Sequence, residues 1–238
     1  QDVIEALAWA SVLAVTVMFL VDGGLKGITD LPSALNALSR LTALVATDLL
    51  LIHMLLIARI PWIDKFYGHD KATLAHKKLG KPVLYLVIAH FSASVISFSI
   101  SAGVNPIEEL VSLFINVPDM WSAIIGAVLM IAVVVTTLTF ARRRMSYEAW
   151  YIVHIASYVA VLAAVPHQFS SGSDIHGKPV QTVFWVSLYF FVLFNLVWYR
   201  VLAPMIRGCK LGLRVAAVRP ESSDSVSIYL EGKNVGKL

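Results

Sequence analysis

The sequence predicts an all-α membrane protein, a bundle of six transmembrane helices followed by the first strands of a β domain. Three observations carry this. The 238 residues are 58% hydrophobic and 14% charged, whereas a soluble domain is about half apolar and about a quarter charged. The apolar excess falls into six runs of about 20 residues, the length that crosses a bilayer core of roughly 30 Å. After Gly208 the pattern changes to the alternation of a strand.

The first run covers about 5–21 and stops at Asp22, Gly23 and Gly24. It has neither the basic leader nor the small-residue cleavage site of a signal peptide, so it is expected to remain as a helix. The second covers about 34–58 and carries Arg40, Asp48 and His53, groups that need partners or water at membrane depth. The third covers about 73–101. Gly103, Asn105 and Pro106 then open a loop in which Ile107 to Ile115 suits a short interfacial helix. The fourth covers about 119–141 and stops at Arg142, Arg143 and Arg144. The fifth covers about 146–167 and is followed by the polar loop FSSGSDIHGKP. The sixth covers about 181–203, ended by Pro204.

Basic residues crowd the loop between the second and third helices, the loop after the fourth and the segment after the sixth. The other loops hold only Lys26 and Lys178. By the positive-inside rule the basic side is cytoplasmic and both termini lie there, in a multi-pass protein of the cell membrane. The third and fifth helices then run parallel, from inside to outside. In the last segment Val226, Ile228 and Leu230 fall on one face, and Ser225, Ser227 and Tyr229 on the other. Pro220 to Asp224 suits the turn before them. One hairpin is not independently stable. Residues 1–207 are therefore expected to form the membrane domain and 208–238 to open a cytoplasmic domain that continues beyond them.

Cys209 is the only cysteine, which excludes an intrachain disulfide, a cysteine-held iron–sulfur cluster and a thiolate zinc site. The net charge of +4 lies beside the apolar runs and does not point to nucleic acid. Histidine is the remaining ligand for a redox cofactor. The third helix carries His76 and His90, fourteen residues apart, and the fifth carries His154 and His167, thirteen apart. Histidines in membrane helices are costly and face an interior site. Two on each of two parallel helices suit the axial ligands of two stacked b haems, His76 with His154 on the inside and His90 with His167 outside, roughly 20 Å apart. Such ligation favours electron transfer over oxygen binding. A fourteen-residue step returns to nearly the same helix face, but thirteen misses it by about 140°, and Pro166 is expected to bend the end of the fifth helix. Scattered histidines, or a proton or metal-ion path through Asp48 without haem, are the alternatives. Arg142 and Arg143 are stop signals that can also pair with inner haem propionates or flavin phosphates, as can Lys77 beside His76. His53 suits a hydrogen-bonding role; His69 and His176 suit solvated loops.

HKKLGKPVLYLVIAH resembles the third helix, and YEAWYIVH followed by PHQ the fifth, of the ferric reductase-like transmembrane domain shared by ferric reductases and NADPH oxidases. LRVAAVRPESSDSVSIYLEG resembles the opening strands of that family's FAD-binding barrel. The resemblance implies an oxidoreductase. Electrons would pass from NAD(P)H to FAD in the chain's own C-terminal dehydrogenase domain, then through the inner and outer haems to an external acceptor, with Arg40 beside the outer haem. Two positions depart from the oxidase pattern: Ser94 stands where oxidases carry a further histidine, and Ala160 where they often carry an aromatic between the haems. Six carboxylates in the outer loops, Asp22, Asp30 and Asp174 among them, are expected to favour cationic acceptors. With Ser94 this favours ferric iron over oxygen. A superoxide-producing NADPH oxidase is the alternative. A cytochrome b561-like carrier is another, although that class has no following barrel.

Overall fold

The computed structural model describes residues 2–137, 142–212 and 214–233. Its helices are α1 (Asp2–Val21), α2 (Leu31–Leu55), α3 (Pro61–Phe66), α4 (His69–Ala102), α5 (Pro106–Asn116), α6 (Met120–Thr137), α7 (Tyr147–Ser170), α8 (Pro179–Val197) and α9 (Ala203–Leu211). A π-helical turn, Trp198–Leu202, joins α8 to α9. Six helices among the described residues are long and apolar enough to cross a membrane: α1, α2, α4, α6, α7 and the rod from Pro179 to Leu211. Their outer faces carry exposed Trp9, Ile152 and Phe190, side chains that only lipid would cover. The chain is a multi-pass membrane protein.

Local chemistry sets the helix ends. Asp30 accepts from the Ser33 amide at 2.9 Å, and the Ser33 hydroxyl answers the Asp30 amide at 3.1 Å, a reciprocal cap that starts α2 at the far end of the bundle from the arginines. Asn105 accepts from the amides of Ile107 and Glu108, both at 3.0 Å, and starts the expected interfacial helix α5. Gly103, at φ 69°, closes α4 in the left-handed conformation that suits glycine.

Packing is pairwise. α4 lies along α2, and α7 lies along α6. Gly126 of α6 brings the second pair close, since a Cβ there would stand 2.7 Å from the Ala160 carbonyl oxygen. Ala163 and Ala164 line the same contact, so small residues set the approach. α4 and α7 are therefore each sealed against another helix, not against one another along their lengths. A core of Val15, Leu51, Met54, Val161, Ile175, Trp185, Tyr189 and Val192 ties α1, α2, α7 and α8 together.

Several boundaries differ from expectation. Pro204 does not end the last helix. A proline removes one amide donor and crowds the carbonyl four residues earlier; the wider π turn just before it takes up that mismatch, and the rod runs on to Leu211. Pro166 lies inside α7, which continues to Ser170. His69 opens α4 and is not a loop residue. Residues 138–141 of the fourth run lie outside the described residues. The loop after α7 is less solvated than its composition suggests, because Asp174 and Ile175 are buried. Beyond α9, β1 (Arg214–Pro220) and β2 (Val226–Glu231) form an antiparallel hairpin with an irregularity between Val215 and Ala217. Its apolar side chains Val218, Val226, Ile228 and Leu230 are all exposed.

Candidate functional site

The four histidines singled out above divide between two levels of the bundle. At the basic end, His76 Nδ1 lies 3.0 Å from the backbone carbonyl oxygen of His53. A carbonyl only accepts, so Nδ1 carries the proton and Nε2 keeps its lone pair. The His53 ring stacks on His76, with centroids 3.5 Å apart and planes 25° apart. The His53 ring was expected to hydrogen-bond, but its Nδ1 has no partner among the described residues; the ring packs, and only the backbone carbonyl accepts a hydrogen bond. The His154 ring, from α7, stands with its centroid 6.2 Å from that of His76. A metal–imidazole bond is about 2 Å, so two rings opposed across one ion have centres roughly 6 Å apart. Trp150, one turn before His154, stacks on it at 5.0 Å and 20°. The Arg142 guanidinium lies over the Trp150 ring at 5.0 Å and donates to the Met145 carbonyl at 3.2 Å. Arg142, Trp150 and His154 thereby form a continuous stack from the basic loop to the interior. Arg143 and Lys77 are exposed at the same end.

At the far level, hydroxyls replace rings. His90 Nδ1 lies 3.1 Å from the Ser39 carbonyl oxygen and 2.9 Å from its hydroxyl. The same tautomer argument leaves the lone pair on His90 Nε2. Ser39 is 2% exposed, and its hydroxyl also touches Ser94 at 2.5 Å. Position 94 is therefore part of the support for His90. His167 sits in the last turn of α7 at this end of the bundle. Among the described residues, Nδ1 of His53, His154 and His167 is buried without a hydrogen-bond partner.

Arg40 lies one residue beyond Ser39. Its Nε donates to Asp174 Oδ2 at 2.6 Å and its Nη2 to Oδ1 at 2.5 Å, a two-pronged pair that joins α2 to the loop before α8. Lys178 reaches both Asp174 and Asp22 at 3.4 Å, and Gln181 donates to Asp22. Burial pushes the Asp174 carboxyl up, but the hydrogen bonds and charge of Arg40, with Lys178, outweigh it and hold it below the ordinary carboxylate range. Asp48 is fully buried between the two levels. It accepts from the Ser11 hydroxyl of α1 at 2.6 Å, while its second oxygen has no partner among the described residues.

Asp174, Ser39 and Trp150 escape sequence reasoning as members of the site, while Ser94 was noted only for the histidine it replaces. The partners of Asp174 and Ser39 lie 134 and 51 residues away, and only the opposite charge of Asp174 hinted at a partner for Arg40; Trp150 lies one turn from His154. Ala160 lies in the α6–α7 contact, against Gly126. Packing between those two helices accounts for its small side chain.

The donor set suits haem. Among the described residues no group of three or more His, Cys, Asp or Glu side chains is arranged to hold a metal ion, as a zinc site built from protein ligands requires. Haem brings its own four nitrogens and asks the protein for axial ligands alone. The His76–His154 pair fits that demand, and the rings of His76 and His90 are each held at Nδ1 by a backbone carbonyl.

Six membrane spans, two of which carry two histidines each, define a multi-pass membrane protein with an interior site. The family model described as the ferric reductase like transmembrane component matches residues 42–165, and the chain belongs to this family of transmembrane oxidoreductases. No curated protein and no solved structure matches the chain.

Proposed function

We propose that this protein carries electrons across the cell membrane, from NAD(P)H and FAD on the basic, cytoplasmic side to an acceptor outside, with ferric iron favoured over oxygen. His76 and His154 would hold an inner b haem, and His90 and His167 an outer one. Bound there, haem supplies a one-electron store at each level. The observation that carries this reading is the fixed tautomer of His76 and His90: each donates Nδ1–H to a backbone carbonyl of α2, so each presents Nε2 as a ligand without further rearrangement.

The chain's own residues then have distinct tasks. The carbonyls of His53 and Ser39 orient the two α4 imidazoles and raise their basicity. Trp150 fixes the plane of His154 by stacking. Arg142, Arg143 and Lys77 stand at the basic end, where guanidinium and ammonium groups suit propionates or flavin phosphates. The uncovered apolar face of the β1–β2 hairpin suits the opening of an FAD-binding barrel whose further strands would cover it. Residues 1–207 would then be the haem domain and 208–238 the start of the flavin domain, with both termini cytoplasmic. Ser94, engaged with Ser39, offers no imidazole beside His90, which supports ferric iron over dedicated superoxide production.

The test is a dithionite-reduced minus oxidised spectrum of the purified protein with haem quantitation. Two low-spin b haems per chain are expected. A haem-replete preparation with one haem or none overturns the assignment.

A further inference from the structure

Asp48 has no task in the function proposed above, yet it is the most deeply buried carboxylate among the described residues, at 0% exposed. On α2 it stands five residues from His53 and nine from Ser39, whose carbonyls hold the two α4 imidazoles. Its depth is therefore between the two levels. The Ser11 hydroxyl of α1 donates to Oδ1 at 2.6 Å, and Oδ2 has no partner among the described residues. An ionised carboxylate so placed is costly unless an opposite charge faces it.

The elements around α2 bring no cationic side chain into a salt bridge with it among the described residues. α8 carries no charged residue, and its Tyr189 donates to Gln168. Arg200, in the π turn beyond α8, is exposed. α1 carries Asp2 and Glu5, both near the basic end. α7 contributes Glu148 at the basic end, then His154, Tyr158 and His167. α4 contributes His76, Tyr85 and His90, with its lysines exposed toward the basic end. On α2 itself Arg40 is committed to Asp174, and His53 stacks on His76.

A haem with two neutral imidazole ligands carries one net positive charge on its core when ferric and none when ferrous. Held at the two levels, such groups would supply the opposite charge that favours an ionised carboxyl between them, and an arriving electron would cancel it. The seam between α1, α2 and α8 also holds a cavity of about 10 Å³, room for one water molecule. Val15 and Leu44 line it, one turn further out than Ser11 and Asp48, together with Asp22, Asp174 and Gln181 of the far end. Water of that end thus comes within about one helical turn of the Ser11–Asp48 pair. We propose that Asp48 is a proton-binding site coupled to electron transfer, ionised while both levels are oxidised and protonated on Oδ2 when an electron is held beside it. The inference rests on the function proposed above. In each cycle one electron reduces iron(III) to iron(II), one proton from the aqueous phase at the far end forms the Oδ2–H bond, and no other bond changes.

The experiment is a spectroelectrochemical titration of the haem-loaded protein in nanodiscs, repeated across the neutral pH range for the wild type, Asp48→Asn and Ser11→Ala. Wild-type midpoint potentials should fall as pH rises, because the reduced protein holds the proton more tightly. A tenfold drop in proton activity is worth at most about 59 mV, summed over both levels. Asp48→Asn is neutral in both redox states. Its potentials should match the wild type at the acid end and lie above it at the alkaline end, with the slope lost. Ser11→Ala removes a donor to the carboxylate and should move the sloping range to higher pH. The reduced-minus-oxidised infrared spectrum should show a protonated-carboxyl C=O band that shifts in D2O and is absent from Asp48→Asn. A slope unchanged in Asp48→Asn, or no carboxyl band that this variant removes, overturns the proposal and leaves the two-haem reading intact. If Asp48→Asn does not fold, an unmoved range and an unmoved carboxyl band in Ser11→Ala overturn it instead. A preparation that holds no haem overturns the electron-transfer reading and this coupling with it.

Discussion

The two ends of the bundle support their imidazoles by different physics. At the basic end the contacts are between rings: His53 on His76, and Trp150 on His154. At the far end they are hydroxyls and an ion pair, with Ser39 and Ser94 around His90 and Arg40 clasped to Asp174 just beyond. Stacking depends on area and offset and tolerates small shifts. Hydroxyl and guanidinium contacts are directional, and the charged ones respond to pH and salt. The far end should therefore be the more easily perturbed of the two, and under the proposed function it is the end that meets the acceptor.

The largest test of this comparison removes one ligand at each level. His76→Ala and His90→Ala should each lower haem content from two per chain to one. The residual spectrum should belong to the untouched level, since the two sites share no side chain among the described residues. Haem quantitation on the two purified variants decides it. Loss of both haems from either variant would show that the levels are not independent.

Replacing the first neighbours sharpens the contrast. Ser39→Ala keeps the carbonyl that accepts from His90 but deletes the hydroxyl that touches Nδ1 and Ser94. Losing such an outer-shell partner weakens metal binding by about 10- to 100-fold, and the retained carbonyl puts Ser39→Ala at the lower end. Haem retention at the far level, followed by competition with apomyoglobin, should fall about tenfold while the basic-end level is unchanged. Trp150→Phe, which keeps a stacking ring, should leave retention at both levels within about threefold.

How much of this was legible in the sequence follows from the same contrast. The six spans were legible because membrane thickness fixes the length of an apolar run. The four histidines were legible because a polar ring is conspicuous in such a run. Their tautomers were not, because the accepting carbonyls of His53 and Ser39 belong to another helix and leave no mark in composition. Asp174 was placed in a polar loop by its neighbours Ser171, Gly172 and Ser173, yet the fold turns it inward to meet Arg40. Pro204 looked like a helix end because sequence rules assume α geometry, and the π turn before it changes that geometry. The α5 cap was legible, since Asn105 acts on the two amides that follow it.

The Arg40–Asp174 pair gives the next effect. Asp174 is 8% exposed but Arg40 is 27% exposed. Breaking a buried pair costs about 3–5 kcal/mol, and the partial exposure of Arg40 lowers the expectation for Asp174→Asn to about 1–2 kcal/mol. The loss should appear in thermal unfolding in detergent, and limited proteolysis should show faster cutting between 171 and 178.

The smallest effect is the pH dependence of that same pair. The folded-state carboxyl of Asp174 sits below its unfolded value, because the opposing effect of burial is outweighed by Arg40 and Lys178. The unfolded chain therefore binds a proton at a higher pH than the folded one does, and stability rises with pH across that window. The contribution is fully present above the ordinary aspartate value of about 3.9. It is lost as pH falls through the lower, folded value. Between pH 7 and 5 the wild type and Asp174→Asn should therefore run parallel, separated by a constant gap in unfolding temperature. Below about pH 4 the gap should close, because the wild type loses what the variant has already lost. Salt should narrow the gap at neutral pH while leaving haem retention at the ring-supported level unmoved. Parallel curves down to pH 3 would mean that the carboxylate of Asp174 does not hold this end of the bundle. The directional half of the comparison would then rest on Ser39 alone.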